Sequence, residues 1–446
     1  MAITVTERLA AFTAGLRIGD VPDDVVNMAR SCLLYGYGIA LCGKNERTAA
    51  IGQRAAHSMD GGAGGPATIL IDGRRAPLAS ALMANTALFH ARAQEDTCGT
   101  AHLGAVIIPL LTGLIEAKGA KTANLLPAVI AGYEVGGQLE ATLARDTLAA
   151  GFRASALYGL IGATAAACRL LQLDATVTRH ALAHAVAFDG GNAQTIAEGS
   201  DEWRFQLGMA GQAALSAVEL AIAGSVGARD AFEGKFGFAR VFAKRALAAG
   251  DLDALGRDWI QLRVMFKPYP VCAHNQSAVA GAIAMRPRLA GAEAERIEVH
   301  VNPYMVPGMT LKGPFSRSSE TLLSTPFCVA TALVRGRVEI TDLDVHDDVA
   351  VQALIDKIEV VSNPAIGYPA SEIFYYPRQG EVVRHAEMVT PMDYTFGIDR
   401  TLAQLRRMAG DLGIAPRVMD GLNAFVTALP AGNLDLLREA FAAHAS

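Results

Sequence analysis

Between His90 and Pro109 the chain reads HARAQEDTCGTAHLGAVIIP, bringing two carboxylates (Glu95, Asp96), two hydroxyls (Thr97, Thr100) and one imidazole (His102) close together. An imidazole changes charge near neutral pH, so His102 can take or give a proton while the neighbouring polar groups orient a substrate. The same residue types also fit a plainer reading, with Asp96 and Thr97 capping a helix and His102 on the surface.

Other chemistries lack their local signatures: there is no Gly-x-Ser-x-Gly elbow, no His-Glu-x-x-His pair and no Gly-x-Gly-x-x-Gly after a strand. The stretch Gly38 to Asn45 has P-loop spacing through Gly43 and Lys44. However, Asn45 stands where a Mg²⁺-binding Ser or Thr belongs, and the lead-in is helical. It reads as a helix end capped by Gly43. His180 and His184 are spaced to share a helix face, but no carboxylate or Cys pattern completes a metal site, so they read as a structural pair.

The elements that must position these residues follow from composition and period. A chain of 446 residues, 51% hydrophobic and 19% charged, is expected to fold compactly into two or three domains. Its net charge of -5 supplies no basic field for a nucleic acid partner. Six scattered cysteines without a Cys-x-x-Cys pair point to reduced thiols and a cytoplasmic setting. Glu7 and Arg8 interrupt any export signal. The apolar stretch Ala154 to Cys168 falls short of the ~20 residues that span a bilayer. It is expected to be a buried helix whose small residues admit close neighbours, with no membrane partner.

Helical punctuation predicts helices from Pro22 to Gly43 and near 78–92, 105–118, 122–143, 154–172, 177–188 and 206–224. A β-branched run closing on Asp72-Gly73 predicts a short strand and turn. Beyond 266 alternation at Ile297/Val299/Val301 and Ile358/Val360, and the pair Val382-Val383, predict strands, with a long loop over 303–320. The helical period returns near 400.

The 90–109 segment resembles the signature of the MmgE/PrpD family, which includes 2-methylcitrate dehydratase, cis-aconitate decarboxylase and iminodisuccinate epimerase. Glu95-Asp96-Thr97 and His102 are similar to the family's Asp-Asp-Thr followed by His. Gly151 to Ser155 resembles its Gly-aromatic-His-x-Thr helix start, Glu233 to Phe238 its Glu-Gly-basic-Phe-Gly-Phe block, and Lys267 to Cys272 its Lys-Pro-Tyr-Pro-x-Cys block. Ser324 to Phe327 stands for Ser-x-Pro-Tyr. The resemblance implies a mainly α fold: a large all-helical domain from 1–266 and 399–446, with a smaller α/β lid inserted at 267–398. It also implies a homodimer.

Several family positions are altered here. An Asp is replaced by Ala93, a His by Arg153, a Lys by Trp203, a second His by Gln206 and a Tyr by Phe327. Retained are Asp96, Thr97, His102, Arg204, Lys267 and Tyr269, with His274 just beyond. His102 is the expected proton-transfer residue, oriented by Asp96 unless that carboxylate contacts substrate, with Lys267 and Tyr269 also catalytic. Thr97, Arg153, Trp203, Arg204, Gln206 and His274 are expected to contact substrate, with Arg153, Arg204 and Lys267 as a cationic clamp and Trp203 as a stacking face. The implied chemistry is proton abstraction next to a carboxylate, without metal or nucleotide. The expected function is a lyase, of dehydratase or decarboxylase type, on a small carboxylate other than 2-methylcitrate. The alternatives are an epimerase or isomerase using the same carbanion, or a binding protein without turnover.

Overall fold

The structure, a computed structural model, describes residues 3–443. It is mostly helical with two small sheets among the described residues, and it divides into two compact units. The first comprises Met1–Thr195, Glu202–Phe266 and Phe396–Ser446; the second comprises Ile196–Asp201 and Lys267–Thr395.

In the first unit, the helices Asp23–Cys42, Leu78–Phe89, Gly104–Lys118, Leu125–Ala149, Ala154–Leu170 and Glu202–Ile222 surround one continuous apolar core. Helices Leu125–Ala149 and Ala154–Leu170 approach so closely that backbone meets backbone. A Cβ on Gly162 would lie 2.7 Å from the Gly132 carbonyl, and one on Gly136 would lie 2.8 Å from that of Tyr158. The small residues of this pair therefore set the spacing of the layer, as their run predicted.

Asp23–Cys42 ends at Gly43, whose N–H bonds back to Ala40, so the P-loop-like stretch is a helix end. Among the paired imidazoles, His180 Nδ1 accepts from the Gly227 N–H and His184 Nε2 lies 3.4 Å from the Ser225 carbonyl. Both fasten one loop. The unit is not wholly helical: β1 (Ala67–Thr68) and β2 (Arg75–Ala76) form the ribbon expected at Asp72-Gly73.

Among the described residues, Asp23–Cys42 and Glu202–Ile222, unlike the shorter Ala154–Leu170, are each long and apolar enough to cross a membrane by length and composition. Asp23–Cys42 is 89% buried, as a core helix is, whereas Glu202–Ile222 is under half buried.

The second unit is built on a sheet of order β4-β3-β5-β6, formed by β3 (Ala294–Val301), β4 (Ile358–Ser362), β5 (Ser371–Pro377) and β6 (Val383–Glu387). Strands β3 and β4 run parallel and the other pairs antiparallel. Ile297, Val299 and Val301 turn to the buried face, while helix Gln276–Leu289 packs on β5 and β6. Strand β5 was not anticipated, and 303–320 holds short helical turns at Pro303–Met305 and Ser318–Thr321.

Candidate active site

Helix Leu78–Phe89 ends at His90, and the chain then turns through Ala93, which sits at φ 53, in a region L-residues rarely occupy. The next residues form two small pairings. Thr97 exchanges both main-chain hydrogen bonds with Met265, at 2.8 and 2.9 Å, and Cys98 pairs with Ala101 around Gly99. Glu140, on helix Leu125–Ala149, grips this turn by accepting from the Thr100 N–H at 2.7 Å and its hydroxyl at 2.6 Å. A Cβ on Gly99 would lie 2.1 Å from that carboxylate, and the residue has φ 60, so only glycine fits. The His102 N–H donates to Ser155 Oγ at 3.1 Å. Contacts with two helices and with the Met265 bridge therefore fix where the imidazole stands.

The ring chemistry follows from its partners. His102 Nδ1 lies 3.0 Å from the main-chain carbonyl of Asp96, which can only accept. Nδ1 therefore carries the proton, and the neutral ring keeps its lone pair on Nε2. Glu95 Oε1 lies 3.3 Å from the same Nδ1 and 3.1 Å from Nδ1 of His90, between the two imidazoles. Arg153 Nη2, a pure donor, is 3.0 Å from His90 Nε2, which places the His90 proton on Nδ1, facing Glu95. Burial, aided by the charges of Arg153 and Arg204 and opposed by Glu95, pulls His90 down to about 4, so it is neutral at pH 7.

Arg153, Trp203 and Arg204 form one knot against His90. Arg153 donates to the Trp203 carbonyl, and the guanidiniums of Arg204 and Arg153 lie 4.4 and 5.3 Å from the Trp203 ring centre. His90 meets the indole edge-on at 4.8 Å, and Arg204 Nη1 donates to the Ala91 carbonyl at 2.9 Å. Burial and the neighbouring Arg204 bring Arg153 down to about 9, while Glu95 acts in the opposite direction.

Three expectations change as a result. Asp96 does not orient His102 through its carboxylate: Oδ2 accepts from the Tyr133 hydroxyl at 2.5 Å within the core, and Glu95 supplies the carboxylate at the imidazole. Trp203 is not an open stacking face, because guanidiniums already cover the ring. Arg153 is turned inward onto Trp203 and His90 rather than held as an open fork.

Of the other sequence-named residues, Gln206 donates to the Asn192 carbonyl and supports that loop. Lys267, Tyr269 and His274 lie in the second unit. There Lys267 is buried, and Gln276 holds the Tyr269 main chain through its N–H and carbonyl, each at 3.0 Å. His274 packs edge-on against Tyr304 and Tyr368, and burial together with the charge of Lys267 pulls it to about 4. Phe327 is buried against Phe315, a packing role that needs no hydroxyl.

Thr97 Oγ1, Trp203 Nε1, Gln206 Oε1 and His274 Nδ1 are buried without a hydrogen-bond partner among the described residues. Each such atom costs about 1–3 kcal/mol unless something bound satisfies it. Sequence reasoning named all four. It missed His90 as a member of the cluster and left Glu95 without a role, although the spacing His90, Glu95, His102 was the available signal.

Residues 7–249 match the MmgE/PrpD N-terminal domain and residues 269–390 match the MmgE/PrpD C-terminal domain. The chain belongs to the MmgE/PrpD family. It is similar to cis-aconitate decarboxylase of Mus musculus, 27% identical over 303 residues, which cover 65% of this chain and 60% of that protein. The Homo sapiens cis-aconitate decarboxylase is 26% identical over 304 residues, 66% of this chain and 62% of that one. A cis-aconitate decarboxylase-like protein of Aspergillus oryzae is 27% identical over 245 residues, 52% of this chain and 50% of its own. The chain thus spans under two thirds of the length of these relatives.

Proposed function

We propose that the protein is a cofactor-independent lyase, of decarboxylase or dehydratase type, acting on a small carboxylate with His102 as its proton-transfer residue. The observation that carries this reading is the tautomer set by the Asp96 carbonyl. It leaves the lone pair of His102 on Nε2 and puts Nδ1–H beside Glu95, so the imidazolium formed by proton uptake is stabilised at once. The similarity to cis-aconitate decarboxylases supports the lyase class.

In a dehydration, Nε2 takes the proton from the carbon next to the substrate carboxylate. The bonding pair moves into the carboxylate as an enolate, then returns to form the double bond as hydroxide leaves the neighbouring carbon and is protonated to water. In a decarboxylation, CO₂ departs without its bonding pair, the carbanion takes a proton from Nε2 of His102 when the ring enters the cycle as an imidazolium, and the ring then regains that proton from water. The unsatisfied Trp203 Nε1–H and Thr97 hydroxyl are the polar groups offered to the substrate. Lys267, Tyr269 and His274 enter the proposal on the sequence alone.

Replacement of the family's Lys and His by Trp203 and Arg153, both engaged internally, favours a substrate with fewer carboxylates than 2-methylcitrate. The protein should release CO₂ or water from a mono- or dicarboxylate in a panel that includes cis-aconitate. Turnover should be lost in His102→Ala. Substrate binding without turnover across the panel would overturn the reading in favour of a binding protein, and epimerisation alone would overturn it in favour of an isomerase.

A further inference from the structure

A cavity of about 610 Å³ opens in the first unit between the end of helix Asp23–Cys42, the β1–β2 ribbon and helix Leu434–Ala442. None of its lining residues belongs to the cluster around His90 and His102. Its volume lies within the ~300–1,000 Å³ common for small-molecule sites.

Lys44, the residue following the helix-ending Gly43, lines it. The residue is 7% exposed, and its ammonium donates to the Phe441 carbonyl at 2.9 Å, the only acceptor it meets among the described residues. An ammonium has three N–H donors, so two remain for a ligand. Burial lowers the affinity of Lys44 for its proton, only partly offset by the charge of Asp72, as expected of an ammonium short of a counter-ion.

Arg75 and Arg438 also line the cavity, 3.3 and 2.9 Å from Oε1 of the buried Glu116. Arg438 is also paired with Asp435 Oδ1 at 3.0 Å, so both arginines are already engaged by carboxylates, and Lys44 is the lining cation with N–H groups to spare. Leu70 and Phe441 supply a buried apolar wall.

We infer that this cavity binds a small amphipathic organic anion, its acidic group held by the Lys44 ammonium and its apolar part lying on Leu70 and Phe441. Charge-assisted hydrogen bonds to an enclosed ammonium are the strong kind, and the two unused N–H groups match two oxygens of a carboxylate or phosphate.

Titration calorimetry of the full chain with benzoate, benzamide and inorganic phosphate tests the inference. Benzoate is expected to saturate with a Kd of about 0.1–1 mM, and benzamide and phosphate to bind at least ~10-fold more weakly. Lys44→Met should weaken benzoate binding ~10-fold or more. Because Lys44 also ties down Phe441, a second variant, Ala442→Trp, fills the cavity from its exposed side while leaving the Lys44 side chain and the Phe441 carbonyl unchanged, and should weaken benzoate equally. Benzoate binding that survives in both variants, benzamide binding as tight as benzoate, phosphate tighter than benzoate, or no saturation by benzoate below about 10 mM would each overturn it.

Discussion

Replacing Glu95 by glutamine removes one negative charge and almost no volume at a side chain that is 3% exposed. Its Oε1 lies 3.3 Å from His102 Nδ1, which places the carboxylate and imidazolium charges about 4 Å apart. At the effective dielectric of ~20 suited to protein sites, this attraction is about 4 kcal/mol. The His102 side chain is 18% exposed, so solvent reduces the figure to about 2–3 kcal/mol. If His102 is the base, the loss falls on the step in which the imidazolium forms, and Glu95→Gln should lower kcat by about 30- to 150-fold. The base must be unprotonated to act, so activity rises with pH through its titration. Removing the carboxylate moves that acidic limb to lower pH. The assay is the pH profile of kcat and kcat/KM for parent and variant, with the urea midpoint as a fold control. A variant within about threefold of the parent, with its acidic limb unmoved, refutes the link between Glu95 and His102.

Other perturbations test the surrounding structure. Burial pushes Glu134 up to about 7, so the folded protein holds a proton there that the unfolded chain has lost above about 4.5. Stability therefore falls as pH rises from about 4.5 to 7. Glu134→Gln should exceed the parent by about 2–3 kcal/mol at pH 8 and match it near pH 4.5 in urea unfolding, and an equal difference at both pH values rejects this. Trp203→Lys restores the family's residue but sets a third cation among Arg153, Arg204 and the buried knot. A loss of about 3–5 kcal/mol is expected, far more than for Trp203→Phe, by the same measurement. Gly162→Ala places a methyl 2.7 Å from the Gly132 carbonyl and should cost about 1–3 kcal/mol, seen as a lower Tm.

Much of the helical unit was legible because its core helices carry both period and punctuation. The expected span Pro22 to Gly43 lies over the observed Asp23–Cys42, and the run through Ala154 marked the Ala154–Leu170 helix. Strand β5 escaped because Ile373-Phe374-Tyr375-Tyr376 is apolar on both faces. It lies between β3 and β6, and an inner strand need not alternate. Helix Arg47–Asp60 escaped because its buried positions are the small residues Thr48, Ala49, Gly52 and Ala56, which give little contrast.

At the site, composition located the polar segment but not its internal geometry. Glu95 and Asp96 are adjacent, and the backbone turn at Ala93 decides which carboxylate meets His102. One acid faces the imidazole and the other is drawn to Tyr133 on a distant helix, a contact no local spacing encodes. The inward turn of Arg153 onto Trp203 was hidden for the same reason, since it joins residues fifty positions apart.

The most direct test is carbon-bound deuterium. In D₂O, with a carboxylate the protein turns over, the parent should place solvent deuterium on the carbon next to the carboxylate of substrate or product. His102→Gln, folded as judged by its urea midpoint, should reduce that incorporation by at least ~100-fold. Incorporation at the parent rate in His102→Gln would contradict the assignment of His102 as the group that moves the proton.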